Sequence, residues 1–234
     1  MLLPPSLYFE RRVAEEIRAG EPELAALQDW LPRKGTAVDG GANYGIFAYV
    51  LSKVACRVLA FEPNPDCARF ARRMLRGRAE VHELALSDRP GRAAFHLPYS
   101  DKGAALHYAG NLKGSHSQFK NMRTFEVEVR TLDSFALQDV TCIKADVEGS
   151  EREVLDGARK TIARDRPILL LELLSGTHED PGGYTNAICE SFGYEAFVYQ
   201  RGEKLPALPV IQSLGKNTSW GTEIETRNVL FLPK

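Results

Sequence analysis

Asp39-x-Gly41-x-Asn43-x-Gly45, within "AVDGGANYGIFAYVLSK" (residues 37–53), sets one acid and freely turning backbone between two apolar runs. A strand, a glycine turn and a helix in that order aim backbone amides and a helix N-terminus at a ligand. Glu62 closes the next apolar run in "RVLAFEPNP", and "IKADVEGSE" gathers Asp146, Glu148 and Glu151 behind a further run. Carboxylates at such positions can accept hydrogen bonds from ribose hydroxyls, take up a proton, or ligate a hard cation.

The glycine pattern is not the GxGxxG of dinucleotide sites, whose third glycine packs the helix and whose turn makes room for a pyrophosphate. An acid at the very end of the strand repels a pyrophosphate and suits the ammonium of an amino acid. S-adenosylmethionine carries that ammonium, a sulfonium and no phosphate. Glu62, at the end of the second strand, is placed to accept from both ribose hydroxyls.

The elements that must hold these residues read as alternating strands and helices. Two short helices are expected over 6–30, broken near Gly20-Glu21-Pro22. "GTAVDGG", "RVLAFEP" and "AEVHELALSD" read as strands, with "YGIFAYVLSKV" and "NPDCARFARRMLRG" as intervening helices, the latter capped by Asn64 or Asp66. That rhythm argues for parallel βαβ units in a doubly wound sheet. "GRAAFHLP" and "TFEVEVRTLDSF" suggest an added hairpin. "VTCIKADVEG" is a buried strand, "SEREVLDGARKTIARD" one helix, and "RPILLLELL", apolar almost throughout, the sheet centre. After a helix near 184–192, "YEAFVYQ" and "RNVLFLPK" read as an antiparallel hairpin completing the sheet. Residues 98–120 and 201–227 read as two long loops that cover an acceptor.

At 234 residues, with 44% apolar and 26% charged residues, the sequence reads as one α/β domain. We divide it into an N-terminal helical cap (1–33), a cofactor-binding core (34–175) and a C-terminal sheet completion with substrate loops (176–234). A net charge of −1 gives no pull toward nucleic acid, and no run is long enough to span a bilayer. The start fails as a signal peptide, and the cysteines (Cys56, Cys67, Cys142, Cys189) show neither CxxC nor metal-ligand spacing, so a cytoplasmic protein with reduced thiols is expected.

In order along the chain, "VDGGANYG", "AFEPNP", "ALSD", "TLDSF", "IKADVEGSEREVLDGA" and "RPILLLEL" resemble the FkbM-type S-adenosylmethionine-dependent methyltransferases over residues 36–175. The resemblance implies a Rossmann-like class I methyltransferase fold and O-methylation of hydroxyls on sugars, glycolipids or natural products. It also implies that S-adenosyl-L-methionine is held by Asp39, Gly40, Gly41, Ala42, Asn43, Gly45, Glu62 and Pro63, with Leu86 and Ser87 beside the adenine.

Ligands in open α/β sheets bind outside the carboxyl ends of the strands, which places Asp146 and Glu148 at the transferring methyl. A poorly acidic hydroxyl must be aligned and must lose its proton, to a carboxylate directly or through a divalent cation such as Mg or Mn. His178, in "SGTHED", is a third candidate base. Glu151, in a helix's first turn, mainly complements the dipole. His107 and His116, among Tyr99, Tyr108 and Phe119, lie in a loop whose aromatics suit a sugar face. A nitrogen or carboxylate acceptor would need no base. A nicotinamide-dependent oxidoreductase is the remaining reading, disfavoured by Asp39 and the missing GxGxxG. The acceptor is read as a small molecule or glycan.

Overall fold

A computed structural model describes residues 5–31, 34–114, 121–174, 178–214 and 224–234. The chain opens with helices α1 (Pro5–Ala19) and α2 (Glu23–Trp30), separated at Gly20-Glu21-Pro22. Strand β1 (Thr36–Gly40) and helix α3 (Ile46–Val54) flank the glycine turn. Strand β2 (Arg57–Phe61) leads to α4 (Pro65–Met74), whose cap is Asn64: its side chain accepts from the Asp66 amide at 3.1 Å, with Pro65 entering the first turn.

The expected third strand is two. β3 (Glu80–His82) pairs with β2, while β4 (Ala85–Leu86) leaves to join a second sheet with β5 (Gly91–Tyr99) and β6 (Asn121–Arg130). β5 and β6 form the added hairpin, packed on its own small core of Phe95, Leu97, Val127 and Val129. Two isolated bridges, His96 to Asn111 and Tyr99 to Ala105, fold residues 105–111 back onto β5 as a short 3-10 turn at His107–Ala109. Much of the first expected loop is therefore ordered by pairing. His116 and Phe119 lie outside the described residues.

Strand β7 (Val140–Ala145) is wholly buried, as a strand covered on both faces should be. The single helix expected next is broken into α5 (Glu151–Asp156) and α6 (Arg159–Asp165). Two contacts break it. Gly157 sits against the Ser87 carbonyl, where any Cβ would collide. Asp133 caps the second piece, accepting from the Lys160 and Thr161 amides at 2.9 Å each.

Strand β8 (Ile168–Glu172) precedes α7 (Pro181–Phe192), β9 (Tyr194–Gln200), β10 (Glu203–Pro206), α8 (Ala207–Ser213) and β11 (Asn228–Pro233). The main sheet runs β10-β9-β11-β8-β7-β1-β2-β3. It is parallel from β8 to β3, with β11 antiparallel between β8 and β9. β8 is central, as its hydrophobicity predicts. The second expected loop is corrected by β10 and α8. Prolines at 206 and 209 disguise α8 in the sequence, yet Ala207 and Ile211 bury one of its faces. Residues 215–223 lie outside the described set.

Alternation decides which side chains meet. Ala37, Cys142 and Leu170 face one core layer, under α1, α2 and α3, and Val38, Ile143 and Leu169 face the other. Asp39 and Lys144 are register partners on β1 and β7, so both project toward the α1–α3 side. The cap is tied to β11 through buried polar groups: Glu21 accepts from the Asn228 side chain at 2.7 Å, and Glu23 from the Thr226 hydroxyl.

Burial raises the Glu23 carboxyl to about 8 and also pushes Glu21 up. The folded chain therefore holds protons that the unfolded chain releases above the ordinary glutamate range. The stability these acids contribute should be fully present below about 4.5, fall as pH rises from there to about 8, and level off above it. Thermal unfolding should show a lower Tm at pH ~9 than at pH ~6, at about 2–4 °C per kcal/mol lost. Glu23→Gln should flatten that slope; an unchanged slope in the variant removes Glu23 as its source.

Candidate active site

Parallel strands β1, β2, β7 and β8 end on one edge of the sheet, and each delivers an acid there: Asp39, Glu62, Asp146 and Glu172. Above that edge lies a cleft with two adjoining lobes, which share Gly41, Asn43, His107, Tyr108, Asp146 and Glu148. The inner lobe, about 560 Å³, is lined by Phe61, Glu62, Pro63, Leu86 and Phe95 among others. The outer lobe, about 1160 Å³, adds Asp39, Ala42, Lys144, Glu172 and Arg227, with Arg12, Glu16 and Glu21 from the N-terminal cap.

The glycine turn needs its residue types. Gly41 has φ +77, and a Cβ there would run into the Asp146 carbonyl. The turn can therefore lie directly on the end of β7. Asn43 also adopts the left-handed region (φ 49), which asparagine tolerates better than most residues. Gly45, at φ 85, starts α3 against Leu75. Gly40 and Gly45 shape this turn from behind, while Gly41, Ala42 and Asn43 line the cleft.

Glu62 is buried and staples two turns. One oxygen accepts from the Asn43 amide and the other from the Asn64 amide, each at 2.7 Å. Burial raises its carboxyl to about 7, against the lowering effect of those two amides. Each carboxylate oxygen keeps a further lone pair for a ligand hydroxyl. Asp39 differs: it is 0% exposed, and although the Ala48 amide in the first turn of α3 acts on its carboxyl, neither oxygen is held at good hydrogen-bond geometry. The Asn43 side-chain oxygen is buried without a partner. Burial lifts Asp39 to about 6 while Lys144 opposes the rise. Poorly satisfied buried acceptors are costly, so such oxygens beside one cleft fit a ligand that brings several N–H donors.

At the second strand end, Lys144 Nζ lies 3.1 Å from Asp146 Oδ2 and 4.5 Å from the centre of the Phe47 ring. Burial alone would lower the lysine, but Asp146, Glu21, Asp39 and Glu172 together hold its ammonium above the usual range. Burial works to raise Asp146, yet Lys144 and a hydrogen bond shared with Glu172 keep it below the usual carboxylate range. Glu172 is its complement, raised by burial and by Asp146, so it keeps the shared proton. Glu148 is raised to about 8 by burial and by the neighbouring Asp146 and Glu151. Oxygens of Asp146, Glu148 and Glu172 lie within 4.8 Å of one another, an oxygen set that a hard divalent cation can also use.

His178 does not line either lobe. Its Nε2 lies 2.8 Å from Glu151 Oε2, and its ring packs 4.6 Å from that of Tyr184. Ser87 lies beside the inner lobe's Leu86 but outside its lining, and its amide bonds to the Arg130 carbonyl. His107 and Tyr108 reach both lobes, with His107 Nδ1 at 2.9 Å from the Asn64 side chain. Lys144, Arg227, Phe95 and the cap residues Arg12, Glu16 and Glu21 were not singled out from the sequence as site residues. A lysine inside an otherwise apolar strand, in "TCIKADV", was the available signal for the first.

Together the sheet and its acid-lined carboxyl edge define a Rossmann-like class I methyltransferase fold. Residues 39–199 match the Methyltransferase FkbM domain, and the chain belongs to that family. It is 31% identical over 147 residues to the 2-O-methyltransferase NoeI of Sinorhizobium fredii (strain NBRC 101917 / NGR234), covering 55% of this chain and 59% of NoeI. Its fold resembles a methyltransferase FkbM from Methylobacillus flagellatus KT, with TM-score 0.55 and 18% identity over 99% of this chain and 56% of that one. It also resembles SMU.1697c, a putative methyltransferase from Streptococcus mutans in complex with SAH, with TM-score 0.51 and 12% identity over 90% of this chain and 93% of that one. The chain thus spans under two thirds of the NoeI and M. flagellatus chains.

Lys144→Met should leave the acids without their ammonium. Unpairing a buried charge costs about 3–5 kcal/mol, and the lower end is expected because Asp146 keeps some contact with solvent. The loss should shrink at pH ~5, where the carboxylates can protonate instead. Urea unfolding at two pH values checks both parts, and an equal loss at each pH counts against the charge argument.

Proposed function

We propose that this chain is an S-adenosylmethionine-dependent O-methyltransferase acting on a hydroxyl of a sugar, glycolipid or natural-product acceptor. The observation that carries the reading is the set of poorly satisfied buried oxygens on Asp39 and Asn43, in a cleft continuous with the Asp146–Glu148 acids. Asp39 and the Asn43 side chain supply acceptor oxygens of the kind an amino-acid ammonium needs. Glu62 has lone pairs left for ribose hydroxyls. Phe61, Pro63, Leu86 and Phe95 supply apolar surface suited to an adenine. NoeI, a 2-O-methyltransferase, supports an oxygen acceptor.

When bound, S-adenosylmethionine supplies an electrophilic methyl on its sulfonium. The chain's task is to align an acceptor oxygen and remove its proton. Asp146, ionised and fixed by Lys144, accepts a hydrogen bond from the acceptor hydroxyl and orients it. Glu148, the more basic of the two, takes the proton. Acids and cations around the outer lobe offer hydrogen bonds to the remaining hydroxyls of a polyol. The clustering of Asp146, Glu148 and Glu172 favours a second version, in which these three acids would hold Mg or Mn and the ion would supply Lewis acidity toward the acceptor hydroxyl.

Calorimetry should show binding of S-adenosylhomocysteine and none of NAD. Glu62→Gln should weaken that binding by about 1.5–3 kcal/mol, the scale of a hydrogen bond to a charged group. With a panel of methyl glycosides as acceptors, Glu148→Gln and Asp146→Asn should keep S-adenosylhomocysteine affinity and lose about 10²–10⁴ in turnover. In the metal-free version the rate rises with pH through about 8, the value at Glu148, and EDTA has no effect. Loss of activity in EDTA with recovery in Mg or Mn selects the cation version. Near-full activity in both variants removes the acid pair from the chemistry.

A further inference from the structure

The turn that carries the proposed reacting acids is unusual in its backbone. Glu148 has φ 53 and Gly149 φ 96, two successive left-handed residues of which the first is not glycine. Such a conformation persists only where surroundings enforce it. The enforcing group is Glu151. Its Oε1 accepts from the Val147 amide at 3.0 Å and from the Gly149 amide at 3.2 Å, bracketing Glu148 on both sides. Its other oxygen meets His178 Nε2 at 2.8 Å. The Glu151 side chain is fully buried, and His178 is 9% exposed with Tyr184 packed against its ring.

We propose that Glu151 is a positioning residue that clamps the 147–149 turn, and that His178 acts by holding the Glu151 carboxylate rather than by touching the acceptor. A dipole role alone asks nothing of Glu151 beyond a charge in the first turn of α5. Here one oxygen is spent on two amides of the turn and the other on an imidazole, which fixes the carboxylate plane as well as its place. The clamp sets where Glu148 stands relative to Asp146. Val147 and Glu148 also line the inner lobe, but its ribose-facing part rests on the separate staple of Glu62 on the Asn43 and Asn64 amides. This rests on the reading of Asp146 and Glu148 as the reacting acids.

The test uses the intact chain, S-adenosylhomocysteine, and whichever methyl glycoside of the panel is turned over fastest. In Glu151→Ala the Val147 and Gly149 amides should exchange with solvent at least ~10-fold faster, while β1 and β7 amides keep their protection. S-adenosylhomocysteine affinity should stay within about threefold. Turnover should fall about 10²-fold, the scale of a small misplacement of a reacting group, with little change in KM for S-adenosylmethionine. His178→Ala should show the same pattern more weakly, and His178→Gln, which keeps an N–H donor, should restore most of the loss. If Glu151→Ala does not fold, Glu151→Gln, with one acceptor oxygen left, is read for the same pattern at smaller amplitude.

Unchanged exchange at Val147 and Gly149 overturns the clamp. Loss of protection in β7 together with cofactor affinity makes Glu151 a general structural acid. His178→Gln as inactive as His178→Ala returns the imidazole to the chemistry. Failure of the wild-type chain to bind S-adenosylhomocysteine sinks the functional reading instead, and the exchange arm still decides whether Glu151 holds the turn.

Discussion

Lys144 carries the charge on which the rest of the cleft depends. Parallel strands place their carboxyl ends together, and here each of the four that form the cleft brings an acid. Asp39, Glu62, Asp146 and Glu172 would repel one another strongly in a site of low dielectric. One ammonium on β7, in register with Asp39 and 3.1 Å from Asp146, offsets part of that repulsion. Protons offset much of the rest: Glu172 and Glu148 are both raised, and Asp146 remains the anion. The cluster is thereby sorted into an ionised member and protonated members by position alone. Two carboxyls whose environments drive their pKa values apart are the arrangement from which distinct proton-handling roles arise.

Polar stapling organises the turns over that edge. Glu62 joins the glycine turn to the start of α4, and Asn64 continues the chain of contacts to His107 in the 3-10 turn above. Glu151 does the same for the 147–149 turn. Both staples are buried carboxylates that accept two backbone amides, so neither turn needs an apolar core beneath it. Both also come from short sequence separations, 19 residues or fewer between partners. Local closure of this kind forms rigid turns at small entropic expense.

That locality explains what the sequence could disclose. Asp39, Glu62 and Asp146 were legible because each follows an apolar run that must be a strand, and a strand's end in such a sheet faces the cleft. The antiparallel completion by β9 and β11 was legible as two strand-like apolar runs following the last expected helix. Other features depended on distant partners. Helix 150–165 breaks because Ser87 and Asp133, from earlier in the chain, crowd and cap its middle. His178 reads as an available imidazole until Glu151 is seen to occupy it. Glu62 reads as a free strand-end acid, with nothing in its vicinity announcing that two amides already use it. Arg12, Glu16 and Glu21 reach the outer lobe from more than a hundred residues before Asp146, a distance that no local pattern spans.

The two lobes therefore differ in how their walls are encoded. Inner-lobe residues such as Gly41, Glu62, Leu86 and Phe95 lie within 39–199, the stretch that matches the family domain. The outer lobe takes Arg12, Glu16 and Glu21 from before that stretch and Arg227 from after it. Those outer walls are also physically linked, since Glu21 bonds Asn228 and Glu23 bonds Thr226 on either side of Arg227. Cap and C-terminal strand thus form one unit that closes the lobe from both ends of the chain. A change in either end can reshape the outer lobe without touching the glycine turn or the Glu62 staple, whereas Glu21 and Arg227 also bear on the Lys144 cluster. The family match thus covers all of the inner lobe's wall, while part of the outer lobe's wall lies outside it.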